Sequence, residues 1–130
     1  MHVVDVMATV LDLAGAAYPT TVAGHAILPP EGTSLRPALA GDALVRSRPL
    51  CWEHEGNKAV RDGRWKLVQK WKGPWELYDI DADRVESRDR AATEPALVPR
   101  LAAVWNAWAR RSFVDEWPGP DHGDWGQDVE

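Results

Sequence analysis

One cysteine is all that the 130 residues contain. No disulfide can form within the chain, and Cys51 alone builds neither a cysteine-based zinc site nor a CxxC redox pair. Long apolar runs are absent too: none nears the ~20 residues that a membrane helix requires. Met1-His2-Val3-Val4-Asp5 lacks the cationic and apolar regions of a signal peptide, so the compartment is left open. Excess positive charge is also missing. The chain carries 15 Lys and Arg against 20 Asp and Glu, a net charge of -5. Six of those acids fall within residues 115–130, where there is no Lys or Arg, and residues 1–114 come to +1. A balanced body offers no basic face to neutralise phosphates, which speaks against nucleic acid as a partner; no membrane partner is expected either. Phe and Tyr are scarce at one and two residues, whereas Trp occurs eight times. Trp is large and amphipathic, so it can dominate a small core or form a ligand platform, and its count alone does not separate the two.

Along the chain, Val3, Val4, Val6, Met7, Val10, Leu11 and Ala14 recur at helical spacing. Asp5 sits in the first turn, where a carboxylate suits the helix dipole, and Gly15 follows as a stop, so residues 3–14 read as a helix. Residues 16–33 hold Tyr18-Pro19, Gly24, Pro29-Pro30 and Gly32 and read as an irregular connection. Residues 34–40 read as a short helix with Ser or Thr as N-cap and Gly41 as stop. From Pro49 the period changes. Leu50–Glu53, Lys58–Arg61, Trp65–Lys70 and Trp75–Asp79 are short strand-like runs, separated by Glu55-Gly56-Asn57, Asp62-Gly63 and Lys72-Gly73-Pro74. Asp-Gly between two such runs is a strong hairpin signal, and the set reads as a four-stranded antiparallel meander. Asp81–Arg90 is a charged loop. Beyond it Thr93 is expected to cap a helix whose stripe is Leu97, Val98, Leu101, Val104, Trp105 and Trp108, ending at Arg110-Arg111. Pro95 fits a first turn; Pro99 is expected to kink that helix or delay its start. The tail from residue 115 has no period and is expected to be disordered.

The fold class is therefore α+β: a four-stranded antiparallel sheet with a packed C-terminal helix, since a meander has one face to bury and this helix is the nearest cover. Trp105 and Trp108 share a helix face and read as core.

Three stretches together resemble the C-terminal part of an arylsulfatase, a member of the type I sulfatase family. His2-Val3-Val4-Asp5-Val6 through Thr9-Val10-Leu11-Asp12-Leu13-Ala14-Gly15 is similar to the family's late D-x-x-P-T-L-L-D-L-A-G helix, with Ala8 where proline is frequent. Glu31-Gly32-Thr33-Ser34-Leu35-Arg36-Pro37-Ala38-Leu39 resembles its G-x-S-L-x-P-x-L segment. The third and most specific stretch runs from Trp52-Glu53-His54-Glu55-Gly56-Asn57-Lys58 through Arg61-Asp62-Gly63-Arg64-Trp65-Lys66-Leu67-Val68, followed by Trp75-Glu76-Leu77-Tyr78-Asp79. The likeness covers roughly residues 2–112.

The resemblance implies sulfate ester hydrolysis by a full-length enzyme. There a formylglycine made from Cys or Ser in C/S-x-P-x-R attacks sulfur while a calcium ion held by Asp and Asn side chains organises the sulfate. In this chain Cys51 is followed by Trp52-Glu53-His54-Glu55, without the proline or arginine, and no Asp-Asp or Asp-Asn pair occurs. No catalytic, metal or cofactor residue is therefore assigned here, and the chain alone is expected to be inactive. Calcium and formylglycine are expected upstream. Residues 1–47 would be the tail end of the α/β catalytic domain, its first helix left over from that domain; residues 48–114 would be a C-terminal α+β subdomain, and 115–130 an acidic tail. The expected partners are that upstream domain and, for the full enzyme, a sulfated small molecule or sulfated glycan.

His54 and Asn57, on the turn joining the first two strands, are the substrate-cleft candidates. Loop tips carry function more often than core positions, and an imidazole there could donate to a sulfate oxygen or leaving group; a solvated turn histidine is the plainer reading. Lys58, Arg61, Arg64, Lys66, Lys70 and Lys72 could steer an anion, although the interspersed acids favour an ordinary solvated face. Asp121-His122-Gly123-Asp124 has a metal-binding flavour but no strand before it, which favours coincidence. The alternative from another class is a stand-alone Trp-rich carbohydrate- or peptide-binding module, with Trp71 and Trp75 as its platform.

Overall fold

The computed structural model describes residues 1–118; most of the acidic tail and the Asp121-His122-Gly123-Asp124 motif lie outside the described residues. The chain divides into two compact units, Met1–Arg48 and a second from Pro49 onward.

In the first unit, helix α1 spans Val4–Ala14 and ends where Gly15 turns left-handed at φ 62°, with the Ala16 amide donating to Leu11 O at 2.9 Å. This is the glycine stop that the sequence announces. The connection after it is not wholly irregular: β1 (Thr21–Val22) and β2 (His25–Ala26) pair antiparallel, Thr21 opposite Ala26. Gly24, at φ 81°, makes the tight reversal that the Gly/Pro count had disguised as a loop. Helix α2 spans only Arg36–Leu39, less than the expected 34–40. Leu35 holds its cap position, although the Ser34 hydroxyl still accepts from the Arg36 amide at 3.2 Å.

Burial on α1 is inverted. Its buried residues are Asp5 and Thr9, while Val3 just before it and Val6, Met7, Val10 and Leu13 on it are all more than half exposed. Asp5 is not a solvated dipole partner. Its carboxylate accepts from both terminal nitrogens of Arg46, with Nη1 to Oδ1 at 2.9 Å, and from the amides of His2 at 2.6 Å and Thr33 at 3.1 Å. Every lone pair is thereby occupied, the condition under which a buried charge is tolerated. The Thr9 hydroxyl donates to Asp5 O at 2.6 Å and accepts from the Leu35 amide at 2.9 Å. Gly32 sits against α1 so closely that an added Cβ would stand 2.0 Å from Val4 O.

The second unit is the expected meander. Strands β3 (Leu50–His54), β4 (Asn57–Asp62), β5 (Trp65–Gln69) and β6 (Trp75–Asp79) lie side by side in that order. Register aligns Cys51, Val60, Leu67 and Leu77 across the sheet, and since side chains alternate they share one face. Helix α3 (Leu97–Arg111) covers that face: Leu101, Trp105 and Ala109 close the core with Val60, Leu67 and Leu77, and Cys51, Trp65, Trp75 and Trp108 pack around it. The Trp105 indole N–H donates to Trp52 O at 2.8 Å, satisfying the polar end of a buried ring. Thr93 does not cap α3. Its hydroxyl donates to Arg90 O at 3.1 Å, and the helix begins four residues later, with Pro99 inside its first turn where no amide is needed. The outer edge of β6 is closed as well, because Leu77 N donates to Asp89 Oδ1 at 2.9 Å and Leu77 O accepts from Arg90 N at 2.7 Å. An edge strand so covered cannot recruit another strand there.

Candidate functional site

In a meander the first and third connections lie at the same end of the sheet. Here these are the β3–β4 turn, Glu55-Gly56, and the β5–β6 loop from Lys70 to Pro74. The turn has two residues, both left-handed, with Glu55 at φ 51° and Gly56 at φ 77°. That is the mirror-image turn matching strand twist; glycine adopts it freely, and Glu55 does so at a cost.

His54 ends β3 and is exposed. Alternation puts it on the face opposite the helix-covered core, with Trp52 and Leu50. Asn57 opens β4 on the same face, but its amide turns inward: Nδ2 donates to His54 O at 2.8 Å, and Oδ1 accepts from the Trp71 amide at 3.1 Å. Gly56 N donates to Glu53 Oε1 at 2.8 Å. The two candidates thus stand together at one turn, His54 free to face outward and Asn57 holding the turn.

On the core-side face the same end opens into a cleft of about 460 Å³. Glu53, Lys58, Gln69 and Trp71 line its sheet side, and Trp105 and Arg110 line its helix side. Neither His54 nor Asn57 lines it. Sequence reasoning did not find this cleft, because its walls come from strands and a helix some 50 residues apart. Trp71 and Trp75 do not present one open platform. Trp75 packs against the core, and Trp71 lies against Gly56 with Lys72 Nζ 4.0 Å from its ring centre.

The cations do not line up on one side. Lys58 projects to the core-side face with Nζ 4.8 Å from the Trp105 ring, whereas Arg61 and Lys66 point to the other. Lys66 pairs with Glu86 at 2.5 Å, and Arg64 with Asp79. The guanidinium of Arg64 holds the Asp79 carboxyl below the usual range. Among the described residues no three His, Cys, Asp or Glu side chains converge as metal ligands. Cys51 is a half-buried strand residue outside the C/S-x-P-x-R pattern. The described residues therefore do not fit the family's calcium, and Cys51 does not fit its formylglycine.

No family model matches the chain. Among curated proteins it is similar to an uncharacterized sulfatase of Schizosaccharomyces pombe, 29% identical over 124 residues, covering 86% of this chain and 22% of that protein. It is also similar to the choline-sulfatase of Rhizobium meliloti, 30% identical over 128 residues, covering 86% and 23%. Among solved structures it superposes on a 2-O GAG sulfatase with TM-score 0.60 at 27% identity, over 85% of this chain and 25% of that one. It shares its fold with a Bacteroides thetaiotaomicron protein of glycosaminoglycan metabolism, TM-score 0.63 at 20% identity, over 82% and 24%. With this run of relatives, the α+β meander backed by one helix is similar to the C-terminal region of sulfatases. The chain spans about a quarter of the length of the relatives it matches.

Proposed function

We propose that this chain is the C-terminal portion of an arylsulfatase-like sulfuric ester hydrolase, that it completes the enzyme's substrate cleft, and that it is inactive alone. The observation that carries this reading is the inverted burial of α1. A helix that buries Asp5 and Thr9 and presents Val6, Met7, Val10 and Leu13 to solvent has an apolar stripe built for a partner. The partner we assign is the sulfatase catalytic domain, which in the full enzyme would carry the formylglycine and calcium. His54 would stand at the cleft rim and donate to a sulfate or leaving-group oxygen of a sulfated small molecule or sulfated glycan. Choline-sulfatase and the 2-O GAG sulfatase among the relatives support that substrate class.

The test replaces the matched region of Rhizobium meliloti choline-sulfatase with this chain and measures sulfate release. The hybrid is expected to hydrolyse its sulfate ester and the isolated chain to release none. In the hybrid, His54→Ala is expected to lower turnover about 10²-fold, the lower range for a lost proton donor; unchanged kinetics would remove His54 from the rim.

A further inference from the structure

Gly56 lies at the tip of a two-residue hairpin turn, yet it is buried while its neighbours Glu55 and Asn57 are exposed. An added Cβ would stand 2.5 Å from Trp71 Cδ1 and 3.1 Å from Trp117 Cβ, so two tryptophans close over the tip. The same place carries the Asn57 amide bonds to His54 O at 2.8 Å and from Trp71 N at 3.1 Å, and the Glu53 bond from Gly56 N at 2.8 Å. One side chain, Asn57, thus ties the residue before the turn to the loop between β5 and β6. Glu55 is held left-handed inside this knot, at φ 51°. A strained conformation persists only where its surroundings over-determine it, and such places cluster where a side chain must be aimed.

We propose that Asn57 and Trp71 are positioning residues: they clasp the β5–β6 loop to the β3–β4 turn and fix the direction in which His54 meets substrate. Asn57 itself touches no substrate, since both ends of its amide are spent within the protein. This rests on the reading of His54 as a rim residue and adds the device that aims it. An exposed side chain at a strand end ordinarily samples many directions, and catalysis gains when the reacting group is held near its productive geometry.

The test compares Asn57→Ala, Asn57→Asp and Trp71→Phe in the whole chain by amide hydrogen exchange and ¹⁵N relaxation. Asn57→Ala is expected to speed exchange at the Trp71 amide about tenfold and to drop the His54 order parameter towards 0.6 or below, with Leu67 and Leu77 still protected. Asn57→Asp keeps the acceptor, so Trp71 stays protected while His54 loosens. Trp71→Phe keeps the backbone bond and uncovers Gly56, giving an intermediate effect without loss of the core. An unchanged Trp71 amide in Asn57→Ala overturns the clasp. In the hybrid enzyme Asn57→Ala is expected to lower kcat and leave KM within about twofold, and to add nothing once His54 is Ala. If His54→Ala slows the enzyme and Asn57→Ala does not, the clasp fails while the rim reading stands. If His54→Ala leaves kinetics unchanged, the rim reading fails and takes the positioning role with it.

Discussion

The residues that hold the first unit together are polar ones, and their partners lie far away in sequence. Asp5 meets Arg46 across 41 positions, a distance over which no local pattern speaks; read locally, Asp5 is only a first-turn carboxylate. Removing one partner of a buried ion pair costs about 3–5 kcal/mol. Asp5→Ala is therefore expected to lose about 3 kcal/mol, seen as faster exchange at the Thr33 and Leu35 amides, with Leu67 and Leu77 unaffected. The Arg46 hydrogen bonds hold the Asp5 carboxyl well below the usual carboxylate range. A folded pKa below the unfolded one gives stability that is full above about pH 4 and is lost as pH falls towards the folded value. Acid titration should loosen Thr33 and Leu35 first. A first unit as acid-resistant as the sheet would contradict this. On the alkaline side, the Tyr78 phenol donates to Glu76 Oε2 at 2.5 Å and is pushed up to about 12. Its contribution is full below about pH 10 and lost as pH rises towards 12, and the rise of phenolate absorbance should follow the same interval. Gly32→Ala puts a methyl into Val4 O and should cost about 1–3 kcal/mol, the range for overpacking.

At the scale of elements, periodicity told more than capping did. The strand runs, their hairpin signals and the α3 stripe were all legible, because alternation and 3.6-residue spacing are properties of neighbours. The start of α3 was misplaced at Thr93, since a good cap residue is a local preference that Pro99 and the Arg90 carbonyl overrode. The small β1–β2 pair was missed because two-residue strands leave no alternation to count. The core between α3 and the sheet should behave as close-packed: Leu101→Ala is expected to cost about 2–5 kcal/mol in urea unfolding followed by Trp fluorescence. Trp105→Phe keeps most of the ring but loses the bond to Trp52 O, and should cost about 1 kcal/mol beyond the packing change. The α1 stripe makes the opposite prediction. Val10→Ser, on a face more than half exposed, should leave the isolated chain's stability within about 0.5 kcal/mol. In a full enzyme the same change buries a hydroxyl and should lower yield or activity. A marked destabilisation of the isolated chain would mean that α1 already spends its apolar face within it.

For the molecule as a whole, what the sequence carried was the order of its segments. The Asp-Leu-Ala-Gly helix end, the Gly-Thr-Ser-Leu turn and the Trp52–Val68 hairpins in that succession pointed to a sulfatase C-terminal region, and the relatives agree. The site was less legible. His54 and Asn57 could be named as turn residues, but that one faces outward while the other ties down Trp71 depends on contacts across two loops. The cleft behind Trp71 is likewise made by tertiary packing and leaves no motif. The central proposal is that this chain supplies the C-terminal part of a sulfate ester hydrolase and is inactive alone. Sulfate release, measured for the isolated chain and for the hybrid with the choline-sulfatase catalytic region, tests it most directly. None is expected from the chain and hydrolysis is expected from the hybrid; turnover by the isolated chain, or a folded hybrid that releases no sulfate, would contradict this.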